Sequence, residues 1–456
     1  MKSPPENEPA RGLKSRHVQL IAIGGTIGTG LFLGSGQTIQ LAGPSIILGY
    51  LLVGIACFLL MRALGELLLS NLGYRSFVDF VSEYLGDRVG FVIGWTYWIC
   101  WITIAMAELT AVGIYFRFWF PSLPQWVPGL FFLVILLLLN LTTVGAFGEV
   151  EFWFALIKVL AIIVLIVVGA WLVVINFKTP FGHAGFSNLT QYGGFFPKGG
   201  SGFLLSLQMT VFSFIGIEMV GMTAAETQDP ENVIPKAVNN IPLRIIIFYV
   251  GAMIAIMVIY PWTAVNADQS PFVMVFKAIG IPAAAGIVNF VVITAAASAC
   301  NSSLFITGRM LASLTKDARH PATRKLSLLS KHHVPGNAIG FSSIVIAITI
   351  GLNYFIPDYV FTLVSSVATT CFLLIWASVV LTHLKYRKTE SGRKSTFKMP
   401  GAPVTDYLIL VLLAVVTIVL CFRWDTGIAL LLSLAWFIVM YIVSTRIYTR
   451  RKVELK

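Results

Sequence analysis

Charge is what this sequence has least of. Asp, Glu, Lys and Arg make up 11% of its 456 residues and apolar side chains 57%, whereas soluble domains carry about 25% charged residues. A chain so short of charge cannot cover a surface facing water, and lipid is the solvent that fits. None of its charges falls from His17 to Met61, from Ala278 to Gly308, from His332 to Pro357 or from Tyr359 to Leu384. About 20 apolar residues in a helix cross the hydrocarbon core. Several of these runs therefore cross once, and the longest has room for two crossings.

Chemistry-bearing motifs are missing as well. There is no P-loop, H-E-x-x-H, G-x-S-x-G or Cys/His cluster, so no nucleophile–base or metal constellation points to an enzyme, and no metal or organic cofactor is expected. The five cysteines (Cys57, Cys100, Cys300, Cys371, Cys421) lie far apart without a C-x-x-C pair. That pattern fits small apolar fillers better than a disulfide framework or a zinc site. Glycines 24, 25, 28 and 30 lack the G-x-G-x-x-G spacing of a dinucleotide loop and the acid about 20 positions on. The start of the chain is hydrophilic and Pro-rich through Pro9, followed by Arg11, Lys14 and Arg16 without an A-x-A-like cleavage site. It reads as a cytoplasmic tail, not a signal peptide.

What is present is a series of apolar segments. Hydropathy and helix breakers predict spans near 17–38, 43–70, 90–118, 125–143, 150–176, 203–225, 241–264, 282–312, 336–356, 359–384, 404–422 and 426–446. The net charge of +12 suits a membrane better than nucleic acid once its distribution is considered. With a cytoplasmic N-terminus, all but six of the 32 Lys and Arg lie on the inner side or its margins, as the positive-inside rule requires with both termini cytoplasmic. Two shorter stripes are predicted to lie on the membrane. Phe77, Val78, Phe80, Val81 and Tyr84 form an inner interfacial helix, and Phe272, Val275, Phe276 and Ile279 form an outer one that is either a lid or a loop anchor.

Two spans carry breaks. Ile23–Phe32 holds four glycines in seven residues, each costing a helix about 1 kcal/mol relative to alanine. Unwound backbone at membrane depth persists only where protein or a wet cavity satisfies it. Close helix packing through small residues explains the same glycines. The sixth span favours unwinding, because Phe212-Ser213-Phe214-Ile215-Gly216-Ile217-Glu218 puts a glycine and an acid mid-span. If spans 1–5 and 6–10 are two halves, the breaks stand at matching positions, which is the sequence pointer to a transporter binding site. A half-helix start attracts a carboxylate through its N–H groups, and unwound carbonyls accept from an ammonium. The candidate substrate-binding residues are Thr26, Ile27, Gly28, Thr29 and Gly30 with Phe212, Phe214, Ile215 and Gly216. Amides of Gly28–Gly30 would meet the carboxylate, carbonyls near Thr26 and Phe212–Ile215 the amine, and a ring of Phe212 or Phe214 would close over the ligand.

With those residues in view, the chain resembles the amino acid–polyamine–organocation superfamily in its bacterial amino acid transporter branch. The resemblance is carried by R-H-V-Q-L-I-A-I-G-G-T-I-G-T-G-L-F (16–32), F-G-E-V-E-F-W-F-A-L-I-K (147–158), T-A-A-E-T-Q-D-P-E-N-V-I-P-K-A (223–237) and A-C-N-S-S-L-F-I-T-G-R-M-L (299–311). It implies an all-α integral membrane protein of about twelve transmembrane helices, a LeuT-type 5+5 inverted repeat with discontinuous helices 1 and 6. The corresponding divisions are a cytoplasmic tail (1–16), two five-helix repeats (17–176 and 203–384), helices 11 and 12 (404–446) and a C-terminal tail (447–456). Segments 61–72, 196–199, 239–250 and 398–400 look most like D-serine/D-alanine/glycine and alanine permeases, with aromatic and GABA permeases close behind. Glu108 departs from the aspartate that the D-serine/D-alanine/glycine resemblance implies there, which leaves the substrate open.

Ionisable groups at membrane depth complete the list. Lys158 lies about eight residues into span five, where a lysine costs about 3 kcal/mol or more and faces the interior. The resemblance implies that its ammonium replaces the cation bound by sodium-driven cousins, so loss of its proton would drive coupling; snorkelling or a static ion pair are the plainer readings. Glu108, Asn301 and Ser302 are candidates for the substrate or proton path, with helix–helix hydrogen bonding the alternative; Glu218 is a candidate for the same path, but its position after the break favours tying the unwound backbone together. Glu66 and Glu226, beside Arg62 and Asp229, read as gate-like or merely solvated pairs. The expected function is uptake of a small neutral amino acid (alanine, glycine, serine or their D-forms) with a proton, across a bacterial cytoplasmic membrane. An aromatic or GABA permease, an exchanger and a non-transporting sensor are the rivals. The expected partners are that substrate and the lipid bilayer, with no nucleic acid.

Overall fold

The computed structural model describes residues 27–74, 76–219, 229–267, 269–318, 320–331 and 333–454. α1 (Thr29–Phe32) starts directly after the extended Gly28, a one-residue turn at Leu33 separates it from α2 (Gly34–Ala42), and a turn at Gly43-Pro44-Ser45 leads into α3 (Ile46–Ser70). There follow α4 (Phe77–Leu85), α5 (Asp87–Phe116), α6 (Trp126–Asn140) and α7 (Val144–Val174). A two-residue hairpin, Lys178–Thr179 with Gly182–His183, joins these to α8 (Gly199–Phe212). The second part runs through α9 (Pro230–Asn239), a π-helical stretch at Ile245–Gly251, α10 (Ala252–Ile259), α11 (Pro271–Ala278) and α12 (Pro282–Thr315). It continues with α13 (Gly336–Ile346), α14 (Ile348–Phe355), α15 (Pro357–Tyr386), α16 (Val404–Val419) and α17 (Trp424–Glu454).

Among the described residues, nine helical segments are long and apolar enough to cross a membrane. Their burial sorts them into centre and perimeter. The apolar window of α5 is 83% buried, whereas those of α7 and α17 are 28% and 22% buried. Perimeter helices expose Val167, Trp171, Ile344, Leu431 and Ile438 to their surroundings, a surface that water would penalise at about 25 cal/mol per Å². α12 presses closely against α5, and its small residues Ala295, Ala296 and Ala299 are buried.

The helical segment that carries the expected span 241–264 extends back to Pro230. A proline at the first helical position is preorganised for helix and gives up only an N–H that would have no partner, so Pro230 is a start, not a breaker. α4 opens with a capping box between Ser76 and Asp79, but its stripe does not lie on lipid. Phe77, Val78, Phe80 and Val81 are buried against α5 and α15. α11 likewise buries Phe272, Val275 and Phe276, with the Phe272 ring 4.7 Å from that of Phe32 beside the first break. Amphipathic patterning gives a buried face without saying whether lipid or protein covers it.

Candidate functional site

The two breaks meet. Gly28 is extended (φ −127°) ahead of the four-residue α1. α8 stops at Phe212, and tight turns lead to Gly216, whose φ of +99° lies in the left-handed region that favours glycine. A Cβ on Gly30 would sit 2.6 Å from the Cα of Ser213 and 3.1 Å from the Phe212 ring. One on Gly28 would sit 2.7 Å from a carboxylate oxygen of Glu108. Hydrogen is the only side chain that permits either approach.

A cavity of about 20 Å³ opens at this junction, room for about one water by the usual measure. Gly28 and Gly30 bound it on one side and Phe212, Ser213 and Ile215 on another; Trp101, Ile104 and Glu108 of α5 and Ala299 of α12 close it. Glu108 is the ionisable group in its wall. Its Oε1 accepts from the Thr29 amide (3.3 Å) and hydroxyl (3.0 Å), while its Oε2 makes no hydrogen bond among the described residues. The carboxyl group thus caps the start of the four-residue α1 through Thr29 and leaves its second oxygen free of hydrogen bonds among the described residues. Trp101 is held by ring contacts with Tyr97 and Phe372.

The backbone of the second break is less available than expected. The carbonyl of Ser213 accepts from the Tyr249 hydroxyl (3.0 Å), that of Phe212 from the Ile215 amide (3.2 Å) and that of Phe214 from the Ile217 amide (3.3 Å). Tight turns satisfy buried carbonyls locally, so most of these oxygens are already engaged. Tyr249 lies on the π-helical stretch, a departure often found at functional sites. Phe214 stacks on Tyr249 (4.4 Å between centroids) beside Tyr50 and does not line the cavity, so of the two candidate rings only Phe212 reaches it. Gly216 donates its amide to Glu218 Oε2 (3.2 Å). Ile27 is fully buried but does not line the cavity, and Thr26 lies outside the described residues. Nothing in the sequence separated Tyr50 and Tyr249 from ordinary belt aromatics.

Lys158 is fully buried and stands apart from the cavity. Its ammonium donates to Ser298 Oγ (2.8 Å) and lies 4.0 Å from Glu151. Ser298 in turn donates to Glu151, and Asn301 Nδ2 approaches the other Glu151 oxygen at 3.5 Å. Asn140 Nδ2 donates to Asn301 Oδ1 (2.8 Å). Ser302 is buried close by in sequence, its Oγ without a partner among the described residues. Glu151 escaped the sequence reading, although its seven-residue spacing from Lys158 puts both on one face of α7.

A second polar cluster lies elsewhere. Glu66 accepts from Arg387 (3.0 Å) and the Met399 amide (2.8 Å) and contacts His383 Nε2 (3.1 Å), whose Nδ1 meets Asp406 at 2.7 Å. Arg62, the expected partner of Glu66, instead donates to Asn239 and to the Lys398 carbonyl, and covers the Phe397 ring. Glu226 lies outside the described residues.

Apolar helices packed around a buried polar junction define a polytopic membrane protein. Residues 17–456 match the amino acid permease family. The chain is 56% identical to the amino-acid permease AapA of Bacillus subtilis (strain 168), covering 98% of this chain and 96% of the relative. It is 47% identical to the D-serine/D-alanine/glycine transporter of Escherichia coli (strain K12), covering 100% and 97%. To the aromatic amino acid transport protein AroP of Escherichia coli O6:H1 it is 43% identical, covering 94% of each. The chain belongs to the amino acid permease family: it is a multi-pass membrane transporter and not an enzyme.

Proposed function

We propose that the protein imports a small neutral amino acid (alanine, glycine, serine or a D-form) together with a proton, by alternating access. The observation that carries this reading is the cavity where the start of α1 at Gly28–Gly30 meets the turns that end α8. The substrate carboxylate lies toward the amides of Gly28 and Gly30, the Thr29 amide being held by Glu108. Its ammonium is taken by the unused Glu108 Oε2 rather than mainly by carbonyls of Phe212–Ile215. The cavity as it stands holds about one water, so the walls at Trp101 and Ile104 part during the cycle to admit a small amino acid and leave little room for a large side chain. The transporter of D-serine, D-alanine and glycine among the relatives agrees with that size.

In this reading twelve spans form two five-helix halves (17–176 and 203–384) of LeuT-type inverted repeat, with spans 11 and 12 (404–446) outside them. Both termini are cytoplasmic, in a bacterial cytoplasmic membrane. The α11 segment is the outer lid over Phe32, and Lys158 changes protonation during the cycle. Uptake of labelled glycine, alanine or D-serine into proteoliposomes, with and without an inward proton gradient, tests coupling; gradient-independent uptake rejects it. A competition panel of L- and D-amino acids tests the substrate, and stronger competition by aromatics or GABA than by alanine selects those permease types instead. Counterflow that depends on internal substrate marks an exchanger, and binding without uptake a sensor.

A further inference from the structure

We infer that Glu151 and Ser298 form a proton relay that carries the Lys158 proton away from the substrate site. This rests on the proton-coupled reading above and adds the exit that the reading lacks. The geometry is a continuous chain of donors: Lys158 Nζ donates to Ser298 Oγ at 2.8 Å, and the Ser298 hydroxyl donates to Glu151 Oε1. All three side chains are fully buried. In the transfer, an N–H bond of the ammonium breaks as that proton bonds to Ser298 Oγ. The hydroxyl proton of Ser298 passes to the Glu151 carboxylate. A neutral amine and a neutral acid result, and the buried charges vanish together without any charge crossing the interior.

Direction follows from the helix. Glu151 precedes Lys158 by seven residues, about 10 Å along α7, toward the end that the cation distribution assigns to the cytoplasm. Asn301 and Asn140 steady the far carboxylate oxygen and its neighbour. One turn further along the same two helix faces, Phe147 stacks on Phe305 (4.0 Å between centroids, 13° between planes), and the Arg309 guanidinium covers Phe305 at 3.4 Å. The stacked rings seal the relay from the inner side, so the acid releases its proton only when α7 and α12 part. A proton held at Glu151 therefore leaves in the inward-open state, as coupling requires.

The test uses the full chain in proteoliposomes with labelled glycine. Glu151→Gln and Ser298→Ala are each measured for counterflow, which needs no net proton transfer, and for accumulation driven by an inward proton gradient. Counterflow at the wild-type rate with accumulation reduced to the level without a gradient is the expected result, with partial recovery in Glu151→Asp. A residue that only holds two helices together would depress both readouts alike. If Glu151→Gln fails to fold, Ser298→Ala, which removes one buried hydroxyl, decides alone. Gradient-driven accumulation at wild-type level in Ser298→Ala or Glu151→Gln overturns the relay. Gradient-independent uptake by the wild type instead overturns the coupling reading itself, so the two failures are told apart by that control.

Discussion

Gly30→Ala puts a methyl group where the two broken helices touch. The added carbon would lie 2.6 Å from Ser213 Cα, 3.0 Å from Ser213 N and 3.1 Å from the Phe212 ring. Carbon pairs pack best at about 3.5–4.0 Å, so α1 and the turn after α8 must separate by about 1 Å. The nearest two atoms are backbone, with no flexible side-chain end to yield. Overpacking of this kind costs about 1–3 kcal/mol, and if that cost falls on the substrate-binding geometry, at 1.4 kcal/mol per tenfold glycine affinity drops about 5- to 140-fold. Scintillation proximity binding on purified protein measures it, with melting temperature as the check on folding. Two controls grade the effect. Gly34→Ala meets the Met209 thioether at 2.7 Å, a flexible group that can swing aside, and should weaken binding only slightly. Gly351→Ala meets nothing within 4 Å and should bind as wild type. Equal affinities for the Gly30 and Gly351 variants would refute the reasoning.

Other outcomes follow from single contacts. Gly216→Ala forces an L side chain to a φ of +99°, a penalty of about 1 kcal/mol or more; uptake should fall with a modest drop in melting temperature, and an unchanged maximal rate would count against a strained turn there. Glu66→Ala removes the acceptor of the Met399 amide and one partner each of His383 and Arg387, which keep Asp406 and the Gly392 carbonyl, and loss of a buried partner costs about 3 kcal/mol. The detergent-solubilised variant should melt well below wild type, and an equal melting temperature would show the cluster to be dispensable. Trp101→Leu removes a wall held by Tyr97 and Phe372. Leucine should then compete with glycine for uptake, and a competition profile identical to wild type would remove Trp101 as the limit on side-chain size.

Much of the fold could be read from charge-free runs, because lipid imposes one rule on every crossing. Glycine clusters at 24–30 and the Phe212–Glu218 stretch pointed to one place, and Gly30 against Ser213 brings them together. What stayed hidden depended on partners distant in sequence. Tyr249 claims the Ser213 carbonyl, and Glu151 pairs with Lys158 through a serine 140 positions away from the lysine. The pairing of Glu66 with Arg387, 321 positions apart, in place of Arg62 is of the same kind. Periodicity marks which face of a helix is special, but not what meets it. That is also why the stripes of α4 and α11, alike in pattern to lipid-facing ones, turned out to face protein.

A structure determined with bound glycine or D-alanine tests the central claim most directly. The ligand should lie between Gly28–Gly30 and Phe212–Ile215, its carboxylate within hydrogen-bond distance of the first break's amides and its ammonium on Glu108. A ligand bound elsewhere, with both breaks untouched, would contradict it.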